Sequence, residues 1–199
     1  MRTSSGGLMA TAAVPQPKTS VTRTLVAILL TGAAVSVGLG VYANEHTPTG
    51  EKPYDLFFST TINLKVWFAT AVIVLACIQV LLALRLYGKV HWPARAPAWL
   101  GDAHRLVGIV AFGLSLPIAY HCLWSLGWQS TTTRVVIHSL LGCIFYGAFT
   151  VKVLCVRVHS LPGWALPVAG GVVFAVLVGL FLTSSVWFFT DRPPGIPLY

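Results

Sequence analysis

Five apolar stretches, each long enough to cross a bilayer as a helix, constrain this chain more than anything else in it. They run over about residues 24–42, 62–86, 104–126, 134–157 and 163–189. A spanning helix needs about 20 mostly apolar residues. Charged residues make up only 9% of the 199 positions, and mean hydropathy is +0.78. A water-soluble domain carries roughly 25% charged residues. This chain lacks the polar surface for water, so lipid must be its solvent. The expectation is an all-α membrane protein with five transmembrane helices in one bundle.

The net charge of +8 does not mark a nucleic-acid binder, because the basic residues form no stripe. They sit between apolar runs, where they set topology. Arg2, Lys18, Arg23, Arg85, Lys89, Arg95, Arg105, Lys152 and Arg157 fall on one side, and Lys52, Lys65, Arg134 and Arg192 on the other. Nine against four places the N-terminus in the cytoplasm and the C-terminus outside a plasma membrane crossed several times. Residues 1–22, rich in Ser, Thr, Gly and Pro, read as a disordered cytoplasmic tail, 23–190 as the transmembrane domain and 191–199 as an extracytoplasmic tail. The run ending VYA at 41–43 has small residues suited to signal cleavage, but the long preceding tail favours a retained anchor. Cys77, Cys122, Cys143 and Cys155 lack CxxC spacing and read as small apolar residues.

Helix ends carry local signals. Pro93 and Pro97 mark a non-helical 88–103 loop, Asp102 is placed to cap the third helix, and Thr131–Thr133 to cap the fourth. Pro117 predicts a kink that frees the Gly113 carbonyl one turn before His121.

Histidine placement is the main chemical signal. His46 and His91 lie in loops, and His46, beside Glu45 and Glu51, reads as a solvated loop residue. The other four, His104, His121, His138 and His159, all belong to the third and fourth helices. AHRLVGIVAFG (103–113) and VIHSLLGCIFYG (136–147) share H-x-L-[V/L]-G-x-[V/I]-x-[F/Y]-G. Folded as a hairpin about GWQSTTT, the two helices bring His121 and His138 to one depth and His104 and His159 to the other end. The 17 residues between the histidines of the third helix rise about 25 Å, and the 21 in the fourth about 31 Å.

Two imidazoles facing each other in a dry bundle suit the iron of haem b. Gly108 and Gly142, one turn from His104 and His138, would leave room for a flat ring, and Phe112, Tyr120, Trp124, Phe145 and Tyr146 would wall it. Arg105 and Arg134 lie close to the histidine pairs and could neutralise propionates. Two geometric demands follow. At 100° per residue, His121 and His104 point about 100° apart around their helix. Packed helices lie about 8–10 Å apart, too close for a haem, so the third and fourth must stand diagonally or splay.

HRLVG and HSLLG, each opening a span, resemble helix-opening motifs of cytochrome b561 and ferric-reductase-like membrane proteins. The resemblance covers about residues 104–160. It implies a helical bundle, paired histidines for one or two haems b, and electron transfer across the membrane with a redox partner protein or quinone. The N-terminal half and LPGWALPVAGG (161–171) also resemble small actinobacterial membrane proteins, which imply no mechanism.

Two other function classes remain open at this point. One is a non-redox anchor or scaffold whose histidines bond between helices. The other is a metal or proton transporter starting from His121 and Cys122, which the lack of Asp or Glu within a span core disfavours.

Overall fold

The computed structural model describes residues 20–52, 54–91, 97–191 and 195. Most of the two expected tails lies outside them, as do Arg2, Lys18, Pro93, Arg95 and Arg192. The described chain is all helical, with no strand. Five helices are long and apolar enough to cross a membrane: α1 Val21–Glu45, α2 Thr61–Leu86, α3 Leu100–Leu126, α4 Thr133–Arg157 and α5 Ala165–Thr190.

The helix ends show where local signals win and where they fail. Thr60 caps α2 by accepting from Asn63 N–H at 3.3 Å, and Thr132 caps α4 by accepting from Val135 N–H at 3.3 Å. Asp102 does not cap α3. The helix starts earlier, behind Trp99, leaving Asp102 in the first turn, where a carboxylate still favours the positive dipole end. Two π-helical turns interrupt the α geometry, His121–Leu126 in α3 and Leu182–Val186 in α5. The first follows Pro117, which cannot donate a backbone bond and unsettles the spacing one turn later. Gly127 ends it at φ +64. A Cβ there would lie 3.0 Å from Pro48 and 3.1 Å from the Ala43 carbonyl, so only glycine fits.

The helices form a ring. α1 packs on α4, α4 on α5, α5 on α2 and α2 on α3, and the π turn of α3 touches α1. Although joined by a short turn, α3 and α4 therefore face each other diagonally across the interior, one of the two arrangements the sequence demanded. Side chains bridge them. Phe112 stacks on Phe149 at 4.3 Å, and Tyr146 donates to the Ser115 carbonyl at 3.1 Å.

The tightest seam is α1 on α4. A Cβ on Gly147 would collide with Ser36 Oγ and the Gly32 carbonyl, and one on Gly32 would come within 2.8 Å of the Gly147 carbonyl. Close backbone approach over small residues is the packing mode that membrane-spanning helices favour. On the far side, buried Ser185 donates to the Val66 carbonyl at 3.1 Å and ties α5 to α2.

Candidate functional site: a central cavity beside His138

The ring borders a partly open cavity of about 450 Å³, within the range of small-molecule sites. It lies toward the α3–α4 turn, and residues of all five helices line it. Its body is apolar. Its polar groups include Lys65, Ser115, Gln129, Arg134, His138, Tyr146 and Thr183.

His138 reaches this cavity from α4. Its Nδ1 lies 2.9 Å from Thr183 Oγ1 on α5. Thr183 Oγ1 also lies 2.8 Å from the Gly179 carbonyl, which can only accept. With the hydroxyl proton committed there, the bonding network assigns the imidazole bond as Nδ1–H donating to Thr183. Nε2 then keeps its lone pair and makes no hydrogen bond among the described residues. One ring nitrogen held by a second group while the other stays free is the arrangement of a metal-ligating histidine.

Arg134, one turn before His138, donates to the Thr183 carbonyl at 2.6 Å and stacks over Trp187 at 3.8 Å. The π turn over Leu182–Val186 respaces the backbone bonds here, and Thr183 offers both its hydroxyl and its carbonyl to α4. Lys65 of α2 lines the same cavity, makes no ion pair among the described residues, and lies within electrostatic range of both His138 and His121. Two cations thus share a wall with an oriented imidazole.

The profile of a family of unknown function, DUF6529, matches residues 24–194, which take in α2 to α5 and all but the first three residues of α1. The chain belongs to DUF6529. No curated protein and no solved structure matches it.

In this DUF6529 member the residues singled out from sequence part company. His121 is buried, at 7% exposure, but does not line the cavity. Its Nδ1 has no partner among the described residues, and Lys65 and Asp55 lie within electrostatic range. Cys122, its neighbour, lines the cavity instead, as do Ser115, Ile118 and Ala119 of the same helix. Gly142 lines it too, with open space where a Cβ would stand. Gly108 does not. A Cβ there would lie 3.2 Å from Gln79 of α2, whose amide fills the notch and donates to the His104 carbonyl. The Nδ1 of His104 is buried with no partner among the described residues, and Lys152 of α4 lies within electrostatic range. His159 is exposed in the turn after α4. Arg105 is 77% exposed and pairs with Asp102 at 3.7 Å. No group of three or more His, Cys, Asp or Glu residues suited to a metal ion exists among the described residues.

Of the expected aromatic wall, Phe145 and Tyr146 line the cavity. Tyr120 and Trp124 stack on each other at 6.2 Å outside it. His46 is not a solvated loop residue. It is half-buried, stacks on Tyr42 at 5.0 Å, and donates from Nε2 to the Trp124 carbonyl at 3.1 Å. Tyr54 donates to the Pro117 carbonyl at 3.1 Å, and burial, with Tyr120 beside it, raises its hydroxyl above the ordinary tyrosine value. These contacts hold the π turn of α3 from the loop side.

Lys65 and Thr183 escaped the sequence reading. The signal for Thr183 was present: Thr183, Ser184 and Ser185 are three consecutive hydroxyls in an otherwise apolar span. Lys65 counted only as a topology charge.

Proposed function

We propose that this protein is an integral plasma-membrane b-type cytochrome, with its N-terminus cytoplasmic and its C-terminus outside, carrying electrons to or from a redox partner protein or quinone. The observation that carries this reading is the His138 imidazole, fixed by Thr183, on the wall of a 450 Å³ apolar cavity between diagonal helices. The orientation rests on the basic-residue count of the loops.

The side chains divide the work. His138 would hold iron through Nε2, with Thr183 fixing ring and tautomer. His121 of α3 does not line the cavity, but it is nine-tenths buried with an Nδ1 that has no partner among the described residues, and it would be a second iron ligand only if its ring turned toward the cavity. Arg134 and Lys65 would neutralise the two propionates at the polar end. Phe145, Tyr146 and the open face at Gly142 would seat the macrocycle and exclude water. A bound haem b supplies one-electron chemistry at a potential tuned by its axial ligands and by burial. His104 and His159 stand outside this site, so the reading is one haem per chain.

The test is a reduced-minus-oxidised visible spectrum of the protein purified in mild detergent. Sharp low-spin haem bands are expected. A folded, colourless protein from haem-replete cells ends the reading and leaves the scaffold alternative.

A further inference from the structure

The segment leading into α2 forms a hook that the cavity does not use. Phe58 N–H donates to the Asp55 carbonyl at 3.0 Å and closes a turn over 55–58. Asp55 accepts from the Thr61 hydroxyl, Asn63 donates to Ser59 Oγ at 2.8 Å, and Thr60 caps the helix. Phe58 folds back and meets Phe68 edge-on at 6.0 Å. These ties pin the hook to the first two turns of α2.

The pinned turn drives its other two side chains outward. Leu56 is 61% exposed and Phe57 is 82% exposed, the highest value among the exposed large apolar residues described. Leu56 sits at φ +51, the sole positive φ of a non-glycine residue among those described. Branched side chains avoid that region, so the loop holds Leu56 against its own preference. A loop selected for water would turn this pair inward.

What covers the pair follows from its depth. The 26 residues of α2 rise about 39 Å, more than the roughly 30 Å hydrocarbon thickness, so the first turn of α2 stands at headgroup level. The hook precedes that turn directly. Exposed Tyr42, Trp67, Tyr120, Trp124 and Phe189 mark the same end of the bundle with the aromatic belt of a bilayer interface.

We propose that Leu56 and Phe57 form a rigid hook inserted at the headgroup–acyl boundary, anchoring the α1–α2 loop to lipid. The loop in turn holds the π turn of α3. Ser125 donates to the Glu51 carbonyl, Gly50 N–H donates to the Ser125 carbonyl at 3.1 Å, and Tyr54 grips Pro117. The hook therefore fixes, through the loop, the wall that carries Cys122. This inference rests on the membrane-spanning reading and is independent of haem.

The test places trifluoromethyl-phenylalanine at position 57, at lipid-facing position 74, or at loop position 51 of the full chain in proteoliposomes. Fluorine relaxation is then read with dissolved oxygen, which concentrates in lipid, and with a water-soluble gadolinium chelate. Position 74 should respond to oxygen, position 51 to the chelate, and position 57 to oxygen, with a chelate effect about threefold below that at 51. If 57 matches 51, the hook lies in water and the proposal is overturned. If 57 is shielded from both agents, protein covers it, which also overturns the proposal. Chelate dominance at 74 would instead break the spanning reading itself.

Discussion

The two copies of H-x-L-x-G-x4-G differ in surroundings far more than in sequence. In the α4 copy, His138 is held by Thr183 at the cavity, Gly142 opens onto the cavity, and Gly147 is wedged against α1. In the α3 copy, His104 gives only its carbonyl to Gln79, Gly108 is filled by that same side chain, and Gly113 faces open space. The motif therefore encodes a helix face, and the neighbour decides what the face does. α4 lies between α1 and α5, whereas α3 lies against α2.

The glycines separate the copies most sharply. Gly147→Val should cost about 3 kcal/mol or more through collision with the α1 backbone, and Gly113→Val should stay within about 0.5 kcal/mol. Yield of monodisperse protein and thermal unfolding in detergent measure both. Equal losses would mean that the α1–α4 seam is not where backbone approach matters.

The histidine partners come next. Thr183→Val removes the group that orients His138 and leaves a polar nitrogen uncompensated, which should weaken haem retention by about 10- to 100-fold. Haem loss to an excess of apomyoglobin reports it. Gln79→Leu, the corresponding change beside His104, should leave retention unaltered.

Five helices were legible because each is written as an unbroken apolar run long enough to cross a bilayer. Thr132 was legible as a cap because capping is local. The order of the ring was not. Core-facing and lipid-facing positions are equally apolar, so no stripe tells α4 to pack on α1 and α5. The direction of His121 was hidden for another reason. It opens a π turn, and residue counts that assume 3.6 per turn lose the register there. His138 was readable as a candidate, but its partner was not, because Thr183 lies 45 residues away.

Smaller effects sharpen the contrast. Arg134→Gln should cost about 1–2 kcal/mol, since a charged bond to the Thr183 carbonyl and the stack on Trp187 are lost together. Arg105→Gln on α3 should cost about 0.5 kcal/mol or less, as an exposed pair does. Thermal unfolding ranks the two, and a reversed order would contradict the assignment of Arg134 to the site. Gln79→Leu should change stability by no more than about 1 kcal/mol, because the lost bond is offset by removal of a buried oxygen that has no partner among the described residues.

The most direct measurement is haem per folded chain, by pyridine haemochrome, in the unaltered protein, His138→Ala and His104→Ala, with helix content checked by circular dichroism. The expected result is one haem in the unaltered protein and in His104→Ala, and none in His138→Ala. Full haem content in folded His138→Ala, or none in the unaltered protein, would contradict the account.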